Sequence, residues 1–378
     1  MRVEEQRVST LELFFDLVFV FTITQLTTVL VHHPDGEGLA QVCVMLLPIW
    51  WMYAGYSWLT NVIDLGARGH RLFLLAGMAA YLVLALSIPD AFHSSGFTFG
   101  AAYLAIIVIH SGLFSRAMSL RTARAFLVVA QTNLPLAILL VVGGALGGTA
   151  QWALWIAAGL GLWAIPALRH ATAGGFELSP GHFVERHGLV VIVALGESVV
   201  AVGIGASALP VDLELIFVAV LGLALAAGLW WTYFADEEEV LGAVRAASHA
   251  ERARMGIEGF GYCHWLILLG VVLVAAALRK ATAHPFDSAT TAAAIGLAAG
   301  TALFVCGDEL FCRALRLAPT ARWLQVALAA ATIPLGLLAA GAQIGALAAI
   351  LAAPALSRPQ LRPAAPAPRP ASPPAQPR

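Results

Sequence analysis

Charged side chains are scarce in this chain. Asp, Glu, Lys and Arg make up 11% of its 378 residues, against 60% hydrophobic, where a soluble domain carries about 25% charged residues. Water cannot cover so much apolar surface with so few polar groups, so the solvent is lipid. Cysteine is also thin. Cys43, Cys263, Cys306 and Cys312 lie in or beside apolar stretches without forming a C-x-x-C pair, and read as small core residues. Neither sign of charge is in surplus: the net charge of −1 gives no reason to expect nucleic acid as a partner. No P-loop, G-x-S-x-G, dinucleotide fingerprint or H-E-x-x-H is present. Nucleotide-driven pumping, hydrolase chemistry, a metal site and a cofactor are therefore all without a motif. The first apolar run, Thr10 to Val31, carries Glu12, Asp16 and Gln25, and no Ala-x-Ala follows it. The pattern reads as a membrane span rather than a cleaved signal core.

What the chain does have is apolar length. A helix needs about 20 such residues to cross a ~30 Å hydrocarbon core. Runs of this kind fall near 10–31, 38–60, 70–89, 97–115, 125–146, 150–168, 187–207, 213–234, 257–278, 289–306, 321–339 and 341–356. The last two form one Ala/Leu-rich stretch, either a tight pair or one broken helix. The expected fold is an all-α polytopic membrane protein of about 12 transmembrane helices. Residues 357–378 hold eight prolines and no acid, which predicts a disordered tail.

Cations set the orientation. With twelve spans, the termini and the even-numbered loops share one side, which holds 19 of the 21 Lys and Arg residues; only Arg279 and Lys280 lie opposite. By the positive-inside rule both termini are cytoplasmic.

The chain also repeats itself. Trp50-Trp51-Met52-Tyr53 matches Trp230-Trp231-Thr232-Tyr233, Arg71 and Tyr81 match Arg252 and Tyr262, and Leu113-Phe114-Ser115-Arg116-Ala117 matches Leu310-Phe311-Cys312-Arg313-Ala314. These matches predict two six-helix repeats, 1–169 and 170–356. An even number of spans per unit makes the copies parallel, related by an axis along the membrane normal.

Polar groups inside a bilayer cost about 2.5–3.5 kcal/mol each on insertion scales, so each calls for an explanation. Glu12 and Asp16 lie four apart on one face of the first span, with Gln25 deeper. At the repeat offset, Glu197, beside Ser198, falls opposite Asp16, and the expectation is one buried acid per repeat at similar depth. Such a pair beside the pseudo-axis can hold a cation or relay protons. The plainer reading is that each acid pairs with a cation at a helix end, where Arg7, Arg71, Arg116, Arg186, His187 and Arg313 are available. In the ninth span Glu258, Tyr262 and Trp265 share a face, with His264 beside them. His110, His187 and His264 read most simply as hydrogen-bonded packing residues. Asn61 and Asp64 read as cap or interface residues at the end of the second span. The tryptophan pairs read as a membrane-interface belt, and Asp236 to Glu239 as a solvated helix extension.

Two resemblances follow. Leu11-Glu12-Leu13-Phe14-Phe15-Asp16-Leu17-Val18-Phe19-Val20-Phe21, with Glu185-Arg186-His187-Gly188-Leu189 and Ala194-Leu195-Gly196-Glu197-Ser198, resembles the bacterial low temperature requirement A family from about Val8 to Leu356. The resemblance implies a multi-pass protein of the bacterial cell membrane, named for a cold-growth phenotype that states no chemistry. The stretch from Phe15 to Thr24 also looks like the first-helix signature, Arg-x-x-x-Phe-Ser-Asp, of a lysosomal and bacterial potassium channel family built from six-helix units. Here Phe15 stands where that motif has serine, Arg7 lies too far upstream, and Gly196-Glu197 replaces the motif in the second copy.

Together these readings favour transmembrane passage of a small cation or proton-coupled solute, with Glu12, Asp16, Gln25, Glu197, Ser198, Glu258 and His264 along the pathway. The alternative is a membrane enzyme or lipid-handling protein with a cytoplasm-facing pocket of His187, Glu197 or His264. Beyond the lipid bilayer, the sequence names no partner, and it is compatible with a homo-oligomer.

Overall fold

The computed structural model describes residues 8–61, 63, 66–116, 120–169, 178–207, 209–282, 286–318 and 322–357, and for residues 115, 116, 120–130, 165–169 and 355–357 the backbone alone. Arg7, Asp64 and the proline-rich tail beyond Ser357 lie outside the described residues. All secondary structure among those residues is helical. The first six helices are α1 (Thr10–His32), α2 (Gly36–Thr60), α3 (Arg68–Ser87), α4 (Gly96–Arg116), α5 (Leu120–Leu146) and α6 (Gly148–Arg169). Then come α7 (Pro180–Ala206), α8 (Leu213–Phe234), the short α9 (Glu237–Ala246) and α10 (His249–Met255), a π-helical segment Gly256–Cys263, and α11 (His264–Ala281). The chain closes with α12 (Thr291–Ala314), α13 (Arg322–Ala331), α14 (Ile333–Leu338) and α15 (Ala340–Ser357).

Eight of these helical stretches are long and apolar enough to cross a membrane, judged by length and composition, and shorter apolar helices cover Gln131–Leu146, Arg322–Leu338 and Ala340–Pro354. The expected spans are each met by helix, with four differences, one being that the tenth, α12, runs to Ala314, eight residues past its expected end at 306. The seventh helix begins at Pro180, seven residues before the expected start at 187, because Ser179-Pro180 opens it while His182 and Arg186 lie inside the protein. The ninth changes winding at its π segment. The eleventh breaks at Thr332, before Pro334, where a proline supplies no N–H to continue the α-helical ladder.

Helix starts follow from local chemistry. Ser9 and Glu12 form a reciprocal capping box at α1, and Ser248 and Glu251 another at α10. Asp35, Asp212 and Thr290 each accept a hydrogen bond from a first-turn N–H of α2, α8 and α12. Every cap removes an orphan donor that lipid cannot satisfy.

The same pattern of neighbours occurs in both halves. α1 packs on α3, α3 on α4, α4 on α5, α5 on α6 and α6 on α2; likewise α7 packs on α11, α11 on α12, α12 on α13, α13 and α14 on α15, and α15 on α8. The halves meet where α1 touches α7 and α11, and α2 touches α11. Aromatic rings fill that junction: Phe15, Phe19, Trp50 and Tyr53 from the first half, Phe183, Phe260 and Phe311 from the second. Large apolar side chains such as Leu17, Leu72, Val211, Leu213 and Val220 face outward, as a lipid solvent requires.

Candidate functional site

Three polar contacts line the seam between α1 and α7. Glu12 meets His182, Asp16 meets Arg186 and Thr24 meets Glu197. Partners climb both helices together, so α1 and α7 run in the same direction.

The first group on this seam is an ion cluster. Asp16 begins about 9 Å along α1 at 1.5 Å per residue and is 1% exposed. Its Oδ2 accepts from Arg186 Nη1 at 2.9 Å and its Oδ1 from the Tyr53 hydroxyl at 2.6 Å. The same guanidinium is fully buried, donates to the Glu12 carbonyl at 2.9 Å, and lies 5.6 Å from the centre of the Tyr53 ring. Glu12 Oε2 accepts from the Ser9 N–H and hydroxyl, each at 2.8 Å, beside the positive end of α1. Glu12 Oε1 lies 3.0 Å from His182 Nε2 and 4.0 Å from Arg186 Nε. The ring tautomer follows from Asn61. Its Oδ1 accepts from the Ser179 N–H at 2.7 Å and its Nδ2 donates to the Ser179 carbonyl. The other amide hydrogen then meets His182 Nδ1 at 3.2 Å. That nitrogen must accept, so the ring proton sits on Nε2 facing Glu12. The cluster ties together the starts of α1 and α7 and the end of α2. A buried pair this well supplied with donors clamps α1 to α7.

Glu197 is different. It lies level with Thr24, eight residues beyond Asp16 or about 12 Å further along the seam, so the expected pair of acids at equal depth does not form. The earlier start of α7 is the reason. Glu197 is 3% exposed as a residue, and its carboxyl group has one hydrogen-bond partner among the described residues, the Thr24 hydroxyl at 2.5 Å. The charge whose field reaches it is Arg279, near the far end of α11. Next to it, the Ser198 hydroxyl is buried without a partner among the described residues, as is that of Thr27. Gln25 is half-buried and points about 100° around α1 from Thr24.

Other expected residues lie elsewhere. Glu258 is exposed and sits 3.9 Å from Arg254 on the same helical surface. Tyr262 and Trp265 do share a face, against Trp163 of α6. His264 is a packing residue: Nδ1 bonds the Gly259 carbonyl and Nε2 accepts from the Tyr233 hydroxyl at 2.8 Å. His187 bonds the Phe183 carbonyl within a ring cluster of Trp50, Phe183, Phe260 and His264. Arg313 pairs with Glu309 at 2.8 Å and covers Trp323 rather than reaching Glu197. Arg71 is exposed in the first turn of α3, while the side chain of Arg116, like all of Arg7, lies outside the described residues. Trp50 departs from the belt expectation: it is fully buried and donates to the Gly261 carbonyl of the π segment at 2.7 Å.

Three groups escaped sequence reading. Tyr53 and His182 complete the ion cluster, and the spacing of His182 and Arg186, four apart like Glu12 and Asp16, was a signal that the late start assigned to α7 hid. The third is a separate buried cluster in which Arg322 contacts Asp308, bonds Asp236 at 2.6 Å, and reaches the Thr232 carbonyl and Cys312. Asp236 is thus buried and paired, which corrects its reading as part of a solvated run.

A chain whose described residues have helix as their only secondary structure, with eight stretches long and apolar enough to cross a membrane and a charge cluster sealed between them, has a membrane-protein-like helical fold. The model of the bacterial low temperature requirement A protein (LtrA) family matches residues 7–356, and the chain belongs to that family. It is also 26% identical over 344 residues to an uncharacterized protein of Rhizobium meliloti (strain 1021), covering 87% of this chain and 83% of the relative.

Proposed function

We propose that this LtrA family member is a twelve-span protein of the bacterial cell membrane, built as two parallel six-helix units with cytoplasmic termini, that passes a small cation or proton-coupled solute across the bilayer. One observation carries the transport reading: an acid, Glu197, sits far from either end of α7, in the seam where the halves meet, with a hydroxyl as its partner and no arginine clamp. Intramembrane acids of this kind mark ion and proton paths. Parallel running of α1 and α7 and the matching order of neighbours support the duplication. The 19-to-2 division of Lys and Arg supports the orientation. The alternative of a catalytic pocket has less behind it. His187 and Glu197 are ten residues apart, about 15 Å along one helix, and His264 is engaged by Tyr233. Purified protein in liposomes should carry a K⁺, Na⁺ or H⁺ flux above that of empty liposomes, and Glu197→Gln should reduce it. Fluxes equal to empty liposomes under all three gradients overturn the reading.

A further inference from the structure

Thr24 has one hydroxyl proton and two neighbours within reach: the Val20 carbonyl at 3.3 Å and Glu197 Oε2 at 2.5 Å. A hydroxyl donates once but accepts through two lone pairs. Were Glu197 a carboxylate, both neighbours would be acceptors competing for a single proton, and one contact would be void. With Glu197 as a carboxylic acid, its O–H donates to Thr24 Oγ1 while Thr24 donates onward to Val20. Both bonds then form.

Burial points the same way. A carboxylate in an apolar interior with one neutral partner is strongly disfavoured against the neutral acid. Asp16, on the same seam, shows what an anion needs here: two donors, one of them a guanidinium. Glu197 lacks that provision. The elements packed on α7 bring it little charge. α1 offers the hydroxyls of Thr24, Thr27 and Thr28, with Glu12 and Asp16 about 12 Å or more away along the seam. α2 brings Tyr53, bonded to Asp16. α11 brings His264, held by Tyr233, with Lys280 and Arg279, the one of these whose field reaches Glu197. Asp212 and Glu214 lie at the start of α8, and Glu237, Glu238 and Glu239 belong to α9, which packs beside α7.

The geometry points to Glu197 as a site that holds and exchanges one proton, with Thr24 as its two-way hydroxyl partner. On release, the proton leaves to a base or water reaching the seam. Thr24 swings its O–H from the Val20 carbonyl to the new carboxylate, so the charged form keeps one hydrogen bond without backbone movement. The inference deepens the transport reading by naming the coupling ion as H⁺, but its chemical test needs no flux.

Dicyclohexylcarbodiimide reacts with a protonated carboxyl group by taking up its proton and bonding the carboxyl oxygen. Full-length protein in lipid nanodiscs, treated across a pH series and mapped by peptide mass spectrometry, should carry the adduct on Glu197, decreasing as pH rises, and none on Asp16. Thr24→Val removes a donor that the anion needs more than the acid does, so labelling should persist to higher pH. A readout independent of reagent access is the infrared difference between wild type and Glu197→Gln, which should contain the C=O stretch of a protonated carboxyl. Absence of that band overturns the proposal, as does labelling of Asp16 in place of Glu197. If the band and adduct are present but Glu197→Gln leaves H⁺ flux at the wild-type level, the proton site stands and the transport reading falls.

Discussion

Replacing Asp16 by Asn tests whether the α1–α7 seam is held by charge. The substitution keeps the shape, and the amide oxygen can still accept from Tyr53. Its NH₂, however, would face Arg186 Nη1, now 2.9 Å from a carboxylate oxygen, so donor meets donor and a fully buried guanidinium loses its counter-ion. Removing one member of a buried pair costs about 3–5 kcal/mol. Tyr53→Phe, which deletes only the second donor to Asp16, should cost about 1.5–3 kcal/mol, as for a hydrogen bond to a charged group. Arg186→Gln strands Asp16 instead and should cost as much as Asp16→Asn. The double variant leaves two neutral amides that can bond each other, so it should be less destabilised than the two single losses together, with a coupling energy of about 1–3 kcal/mol. Reversible unfolding in mixed detergent, followed by circular dichroism, supplies all four stabilities. Losses that add to within about 0.5 kcal/mol would show that Asp16 and Arg186 do not form the clamp.

Three further outcomes are expected. Arg322→Gln leaves Asp236 and Asp308 without their shared cation and should lower stability by about 3–5 kcal/mol in the same unfolding assay; an unchanged midpoint would remove the second cluster as a structural element. Gly270 and Gly300 let α11 and α12 touch backbone to backbone, and a Cβ on Gly270 would stand 2.7 Å from both the Gly300 carbonyl oxygen and the Phe304 nitrogen. Gly270→Ala should therefore cost about 1–3 kcal/mol through overpacking, and a neutral result would mean the helices are not in close contact there. Reporter fusions at Pro359 and near Asp90 should give opposite signals across the membrane, and the same signal from both contradicts cytoplasmic termini.

Composition alone determined the solvent, and solvent determined the fold class. With 11% charged residues and apolar runs of about 20 residues rather than short alternating ones, the chain reads as helical in lipid, since each such span satisfies its own backbone. The spacing of apolar runs then located most helix ends to within a few residues, missing the start of α7 by seven and the end of α12 by eight, and the cost of polar groups in hydrocarbon singled out Glu12, Asp16 and Glu197. The sequence could not pair them. Which cation serves Asp16 depends on how α1 and α7 pack, and a repeat offset taken from later spans set Glu197 opposite the wrong residue. Only the tertiary structure decided that Arg186 crosses from the second half to clamp Asp16, that Asn61 fixes the His182 ring, that Asp236 turns inward to Arg322, and that the Glu197 carboxyl group bonds the Thr24 hydroxyl. The physical reason is common to all four. Periodicity records which face of a helix avoids lipid, but a charge is neutralised by whichever group lies within about 4 Å of it, and that neighbour is fixed by helix contacts between residues 170 positions apart for Asp16 and Arg186.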